Sequence, residues 1–158
     1  PMVMSDCEAF LPALSDPENM KYWSRGPLTS LDEVRDYLAW DIIGDGVECF
    51  VFVLASAPED PLGWAVLMDR KNNTAELGYM LRPDRQGHGY AREAATAIVE
   101  HGFQNRGLRR IYADTDPENS GSVHLLEALG FELEGRFRAS WETHIGVRDS
   151  LIYGRVKP

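Results

Sequence analysis

Cysteine is scarce in this chain of 158 residues, which carries only Cys7 and Cys49. Their spacing matches no metal-binding or redox motif, and a disulfide-stapled domain needs more of them. We therefore expect two free thiols in a cytoplasmic protein, and no metal site. The chain has the length of a single domain, residues 1–158, which is enough to build a core without such staples.

Long apolar runs are absent as well. No stretch of 18 or more apolar residues occurs, so the sequence predicts no helix that spans a membrane. No secretory leader pattern precedes the first predicted helix. The chain begins at Pro1 rather than at Met, which is compatible with a missing upstream segment that includes a first strand.

Positive charge is in deficit. Lysine and arginine total 16 against 25 aspartates and glutamates, which gives a net charge of −9. Binding to nucleic acid needs a basic surface, so we expect no nucleic-acid partner. An acidic protein is compatible with a cationic substrate such as an amine.

Two common phosphate-binding motifs are missing too. A Walker loop requires Gly-Lys-Ser or Gly-Lys-Thr, and neither occurs in the chain. The dinucleotide fingerprint requires a third glycine after Gly87 and Gly89, and Arg92 stands at that position. Any phosphate site in this chain must therefore be built in another way.

The chain does contain a glycine-rich turn, in residues 82–94, between a strand-like segment and a helix. Gly87 and Gly89 permit positive φ and a close approach of the backbone to a ligand. The first N–H groups of the following helix are unpaired, and the positive end of the helix dipole points at the turn. The turn therefore predicts an anion-binding loop that suits a diphosphate.

Hydrophobic periodicity predicts the elements around this turn. Capping boxes at Ser5 to Glu8 and Ser30 to Glu33 open the first two helices. The run 49–55 is apolar throughout, which predicts a strand buried on both faces, and residues 58–61 predict the hairpin turn after it. The predicted helices are Ser5 to Pro17, Ser30 to Gly44, Gly89 to Gly107 and Asn119 to Leu129, and the predicted strands are 49–55, 62–68, 74–81, 110–115, 131–141 and 148–156.

Two segments resemble one enzyme superfamily. Gln86-x-x-Gly89-x-Ala91 resembles the Q/R-x-x-G-x-G/A pyrophosphate loop of the GNAT acyl-CoA N-acyltransferases. Residues 119–131 are similar to the N-x-x-S-x-x-L-L-E-x-x-G-F segment of the same superfamily, in particular of its ribosomal-protein N-acetyltransferase branch, the RimJ/RimL-like enzymes. The resemblance extends from Asp6 to Tyr153.

The resemblance implies an α/β fold with a mainly antiparallel sheet of six or seven strands, a central parallel pair and about four helices. It also implies acetyl-CoA as the co-substrate. The pantetheine arm would lie where neighbouring strands diverge after residue 81, and the pyrophosphate would lie on the amides of residues 86–91. The residues expected to contact acetyl-CoA are Tyr79, Met80, Leu81, Gln86, Gly87, His88, Gly89, Tyr90, Ala91, Asn119 and Ser122.

Candidate catalytic residues are Glu76, Asn119 and Ser122. Glu76 lies on the strand that leads into the cofactor gap, where it could take a proton from the amine, directly or through water. The alternatives are that it binds the amine only as a counter-charge or that it is a solvated strand residue. Asn119 is a good helix cap, and the resemblance adds a role near the thioester. Ser122 is a candidate proton donor rather than a nucleophile, because no His/Asp pair at identifiable spacing would activate it.

Tyr22, Trp23 and Trp141 are candidate residues for binding the acceptor, although Tyr22 and Trp23 could instead pack helices against the sheet. The expected reaction is acetyl transfer to a primary amine, which could be a protein N-terminus, a polyamine, an amino acid or an antibiotic. A non-catalytic acyl-CoA-binding domain is the alternative from another class. A homodimer is compatible with either function.

Overall fold

The computed structural model describes residues Pro1–Pro158 and contains ten regular elements besides two short 3₁₀ turns. The chain folds as an α/β structure in which helices cover both faces of one sheet. In chain order the elements are α1 (Cys7–Ser15), α2 (Leu31–Ile43), β1 (Val47–Leu54), β2 (Ala57–Arg70), β3 (Thr74–Leu81), α3 (Tyr90–Gln104), β4 (Arg110–Thr115), α4 (Ser120–Ala128), β5 (Glu132–Thr143) and β6 (Gly146–Val156).

The six strands form one sheet in the order β1-β2-β3-β4-β6-β5. Only β3 and β4 are parallel neighbours, and α3 makes the crossover between them. The other pairs are antiparallel. The predicted fold class is therefore confirmed, with its mainly antiparallel sheet, single parallel pair and four helices.

The parallel pair is short. Its register runs from Thr74 opposite Arg110 to Glu76 opposite Tyr112, and no further residues of the two strands are paired with each other. From Leu77 onward β3 therefore has no strand on that side. We had expected the divergence only after residue 81, but the strands separate several residues earlier, which makes the gap longer.

Two apolar clusters lie on opposite faces of the sheet. The first packs α3 and α4 against the central strands and includes Ile98, Phe103 and Ile111. The second packs α1 and α2 against β1, β2 and β3, with Phe10 in an edge-to-face contact with Trp64 at 4.8 Å between ring centroids. No buried member of the second cluster comes from β4, β5 or β6, so α1 and α2 do not cover that half of the face.

Three local predictions were wrong. Ser5 opens no capping box: a 3₁₀ turn precedes α1, and Asp6 Oδ2 accepts the Val3 N–H at 2.8 Å. Strand β1 is not buried on both faces: it is an edge strand in which only Cys49 is buried. The prediction failed because an apolar run does not distinguish an edge strand from a central one. Residues 58–61 belong to β2 rather than to a turn, and bulges at Phe52 and Val53 absorb the mismatch.

The start of α2 and the start of the chain are each held by hydrogen bonds. Ser30 caps α2 by accepting the Glu33 N–H at 3.2 Å, while Glu33 reaches back to Thr29 instead of completing the box. Residues 1–3 form no strand, and the Met2 N–H donates to the Cys49 carbonyl at 2.9 Å. The domain boundary and the missing first strand stay predictions. No helix has both the length and the apolar character needed to cross a membrane.

Candidate functional site

The glycine turn opens α3 as the sequence predicted. Gly87 and Gly89 both have positive φ, 81° and 82°, a region that residues with a β-carbon rarely adopt. A β-carbon at either position would meet no atom within 4 Å, so the space above the turn is open. Gly89 is the N-cap of α3, and no side chain caps this helix start. Its first N–H groups are therefore free to bind an anion.

The turn is held from outside by charged side chains. Arg82 and Arg85 each bond one carboxylate oxygen of Asp60 at 2.5 Å, which ties the turn to β2. The Gln86 side chain lies 3.4 Å from the Asn19 side chain and 3.4 Å from the Leu81 carbonyl. Because these side chains are used in internal contacts, the turn offers backbone amides rather than side chains to a ligand.

His88 and Tyr90 lie on the rim of the turn. His88 Nδ1 lies 2.8 Å from the Gln86 carbonyl, and the His88 ring stacks on Tyr90 at 5.5 Å between centroids. A shallow groove of about 370 Å³ runs beside them along the outer face of α3. It is lined by Gly89, Arg92, Glu93, Thr96, Ala97 and Glu100.

A hydrogen bond crosses the far end of the β3–β4 gap. The Tyr79 hydroxyl, from β3, lies 2.7 Å from Ser122 Oγ in the first turn of α4. Burial raises the pKa of Tyr79 to about 12, so the phenol stays protonated near neutral pH. Asn119 Oδ1 accepts the Ser122 N–H at 3.2 Å and so caps α4. The structure thus brings Tyr79, Asn119 and Ser122 together, and the Tyr79 phenol is a contact that sequence reasoning missed.

Glu76 lies at the closed end of the same gap, at the last position of β3 that pairs with β4. Its Oε2 accepts hydrogen bonds from Arg70 at 2.8 Å and from the Tyr112 hydroxyl at 3.2 Å. The carboxylate therefore already has a cationic partner. The ion pair with Arg70 favours neither role toward the amine, so Glu76 as a base and Glu76 as a counter-charge to the amine both stay predictions.

The candidate acceptor-binding residues fall into two groups. Trp23 packs against the second cluster, and its ring centroid lies 6.2 Å from that of Trp64. The ring centre of Tyr22 lies 5.2 Å from Lys21 Nζ. Trp141 is 47% exposed on β5, and its indole N–H donates to Asp114 at 3.0 Å. Packing explains Trp23, whereas Trp141 stays available to a ligand.

Asp114 is a site residue that sequence reasoning missed. It lies on β4 on the open face of the sheet, beyond the last position that pairs with β3. Its carboxylate accepts hydrogen bonds from Trp141 and from Ser150. The only signal in the sequence is the alternation of Tyr112 and Asp114 with the apolar Ile111 and Ala113, which places the polar pair on one face.

Comparison with known proteins identifies the fold and the chemistry. Residues 1–132 match the sequence pattern of the acetyltransferase (GNAT) domain family. The chain belongs to the GNAT acetyltransferase family. An acetyl-CoA-dependent N-acetyltransferase activity is therefore shown at family level, as the sequence resemblance implied.

Several relatives are similar over most of the chain. This GNAT protein is 31% identical to an uncharacterized N-acetyltransferase, p20, of Bacillus licheniformis, over 87% of this chain and 79% of that protein. It is 32% identical to the spermidine N(1)-acetyltransferase of Vibrio cholerae over 80% of this chain and 73% of that protein. The ribosomal-protein branch is not confirmed by these relatives and stays a prediction.

Solved structures agree with this assignment. A GNAT-family acetyltransferase from Bacillus anthracis superimposes with a TM-score of 0.86 at 28% identity, over 99% of this chain and 92% of that one. A spermidine N-acetyltransferase from Vibrio cholerae, in complex with CoA and spermine, has the same fold, with a TM-score of 0.85 at 23% identity over 99% and 92% of the two chains. In the present structure no group of three or more His, Cys, Asp or Glu side chains could hold a metal ion.

Proposed function

We propose that this protein transfers the acetyl group of acetyl-CoA to a primary amine of a small cationic acceptor, such as a polyamine. The observation that carries the proposal is the early separation of β3 and β4 beside an uncapped, glycine-initiated α3. This arrangement offers backbone hydrogen-bonding groups to an extended amide ligand and free amides to a diphosphate.

The proposed cofactor contacts are those that the sequence predicted. Backbone groups of Tyr79, Met80 and Leu81 line the unpaired edge of β3. The amides of residues 86–91 would hold the pyrophosphate, and Asn119 and Ser122 would orient the reactive end. Met80 contributes through its backbone only, because its side chain is buried in the second cluster.

When bound, acetyl-CoA supplies a thioester, and the neutral amine attacks its carbonyl carbon so that a C–N bond forms as the C–S bond breaks. Before the attack the ammonium gives up one proton, to Glu76 directly or through water, or to bulk solvent. The nitrogen gives up a second proton as the thiolate is protonated. The Ser122 hydroxyl, next to the Tyr79 phenol, is the proposed donor for that thiolate. The overall reaction releases one proton.

The choice of a small amine rests on relatives rather than on the cofactor site. The spermidine N(1)-acetyltransferases of Vibrio cholerae and Escherichia coli are 32% and 29% identical to this chain. A protein N-terminus is the second candidate acceptor, motivated by the resemblance of residues 119–131 to the ribosomal-protein branch. A cytoplasmic location and a homodimer stay predictions.

The test is release of free thiol from acetyl-CoA, measured with a panel of acceptors under identical conditions. The panel contains spermidine, 1,4-diaminobutane, an amino acid and a peptide with a free N-terminal alanine. We expect the two polyamines to give a kcat/KM at least about 10-fold above that of the peptide, with acetylated product confirmed by mass spectrometry. Faster acetylation of the peptide would favour the protein N-terminus. Binding of acetyl-CoA without turnover of any amine would favour the non-catalytic alternative.

A further inference from the structure

Asp114 differs from the other carboxylates near the gap because it has no cationic partner. Glu76 is paired with Arg70 at 2.8 Å, Asp116 with Arg148 at 2.7 Å and Asp149 with Arg136 at 2.7 Å. Both oxygens of Asp114, in contrast, accept hydrogen bonds from neutral groups, the Ser150 hydroxyl and the Trp141 indole N–H. These donors fix the orientation of the carboxylate and leave its negative charge uncompensated.

Asp114 lies on the half of the sheet that α1 and α2 do not cover. It lies on β4 just past the point where β3 and β4 separate, on the face that α1 and α2 leave uncovered. The loop between α1 and α2 reaches the β5–β6 turn on this side, since a β-carbon on Gly26 would lie 3.5 Å from the His144 side chain. The loop between α1 and α2 and the terminal hairpin therefore meet on the side of the sheet where Asp114 lies, next to the gap.

A bulge in β5 places the second half of the site. Phe137 pairs with Ser150 and Trp141 pairs with Arg148, so that three residues of β5 oppose one residue of β6. Within the bulge Ala139 has a φ of 50°, a strained value for a residue that is not glycine. The Asp149 carboxylate holds the bulge by accepting the Ala139 N–H at 2.9 Å and the Arg136 Nε–H at 2.8 Å. Bulges of this kind re-aim the side chains that follow them, here Trp141.

The two side chains together fit an ammonium ion. The indole N–H of Trp141 is used in the bond to Asp114, and the side chain remains 47% exposed. An aromatic face attracts cations, and a fixed carboxylate without a basic partner does the same. A neutral acceptor would gain from neither group.

We propose that Asp114 and the ring of Trp141 form the pocket that holds the ammonium group of the acceptor before it loses its proton. Asp114 is then a specificity-determining residue that contacts the substrate. This inference rests on the proposed function, because it names the group that recognises the amine in that reaction.

The kinetic test compares Asp114→Asn and Trp141→Leu with two matched controls. Glu132→Gln removes the same charge from an exposed position at the other end of β5, and Trp40→Leu removes an exposed tryptophan from α2. We expect Asp114→Asn to raise the KM for 1,4-diaminobutane at least about 10-fold and Trp141→Leu to raise it about 3- to 10-fold. Turnover at saturation and acetyl-CoA affinity should stay within about 3-fold of wild type, and both controls should match wild type.

An unchanged KM in Asp114→Asn would overturn the proposal. So would a fall in turnover at unchanged KM, because that result would assign Asp114 to proton transfer rather than to recognition. Equal KM increases in Glu132→Gln would also overturn it, since they would reduce the effect to net charge.

A second measurement does not depend on turnover. The chain has 4 tryptophans, each of which contributes one indole N–H signal to a ¹⁵N NMR spectrum. The signal that is missing in Trp141→Leu is assigned to Trp141. Titration of the CoA-loaded protein with 1,4-diaminobutane should shift the Trp141 signal in the wild type and not in Asp114→Asn. If the signal shifts but no amine is acetylated, the proposed function fails while the pocket stands. If acetylation proceeds and the signal does not move at saturating amine, the pocket is wrong.

Discussion

The two helices that begin beside the gap start in opposite ways. Helix α3 begins at Gly89, with positive φ and no side-chain cap, whereas α4 begins at Asn119, whose side chain accepts the Ser122 N–H. Both starts carry the positive end of a helix dipole. At the start of α3 no side chain caps the amides, and a β-carbon on Gly89 would meet no atom within 4 Å. From this difference we expect the anionic part of a ligand to bind at the start of α3, and the start of α4 to contribute side chains.

The largest expected effect comes from breaking the open start of α3. Gly89→Val should weaken acetyl-CoA binding by about 10²- to 10⁴-fold, because the side chain fills the open space and displaces two or more charge-assisted hydrogen bonds worth about 1.5–3 kcal/mol each. Calorimetric titration of the folded variant with acetyl-CoA measures the change.

The matched control is Gly107→Val. Gly107 also has positive φ, 65°, and open space, but it lies beyond the other end of α3. Both variants should lose about 1–3 kcal/mol of stability from backbone strain. Only Gly89→Val should lose acetyl-CoA. Equal affinities in the two variants would show that the start of α3 is not the pyrophosphate site.

The second prediction separates binding at α3 from chemistry in the gap. If Glu76 is the proton acceptor, Glu76→Gln should lower turnover by about 10²-fold and leave acetyl-CoA affinity nearly unchanged. Pre-steady-state and steady-state thiol release across a range of pH measure this. Arg70→Gln is the useful companion variant, because it removes the cationic partner of Glu76 and leaves the carboxylate in place. Full turnover of Glu76→Gln at every pH would remove Glu76 from the mechanism.

Local patterns in the sequence predict the number and order of the helices and strands, and they predict the glycine turn. The positive φ values at Gly87 and Gly89, and the cap at Asn119, follow from residue types whose local preferences are strong. The edge position of β1 and the early separation of β3 from β4 could not be predicted, because both depend on which strands become neighbours. Sequence reasoning expected the gap only beyond residue 81, although pairing ends at Glu76.

The pocket residues show the same limit. Trp141 is a candidate for acceptor binding because of its place in a terminal strand, and nothing local in the sequence links it to Asp114. Their contact requires β6 to lie between β4 and β5, and it requires the bulge that turns Trp141 toward the open face. The order and register of distant strands therefore determine which polar side chains meet, and local patterns in one sequence do not predict that order or register.

The third prediction tests the satisfied start of α4. Asn119→Ala should lower the free energy of unfolding by about 1 kcal/mol, the usual cost of losing a helix cap. Acetyl-CoA affinity should change far less than in Gly89→Val. Urea denaturation measures the stability, and Asn119→Asp is the control that keeps an accepting oxygen. If Asn119→Asp restores stability but not turnover, Asn119 has the second role near the thioester that the family resemblance implied.

The smallest expected effect concerns the bond that joins β3 to α4. Burial raises the pKa of Tyr79 to about 12, above the value near 10 of an exposed tyrosine. Between pH 10 and 12 the unfolded chain loses this proton while the folded chain keeps it, so the stability that burial of the neutral phenol provides falls as the pH rises.

Tyr79→Phe should therefore reduce the loss of stability between pH 9 and pH 11 by about 1 kcal/mol relative to wild type. Urea denaturation at the two pH values measures the difference. Burial also raises the pKa of Tyr37 to about 12. Tyr37 belongs to α2 and packs against the second cluster, on the opposite face of the sheet from Tyr79. Tyr37→Phe should show the same change in pH dependence, but only Tyr79→Phe removes the hydrogen bond to Ser122. If turnover at neutral pH falls in Tyr79→Phe alone, the start of α4 takes part in the reaction through its side chains, which is the role that the comparison of the two helix starts assigns to it.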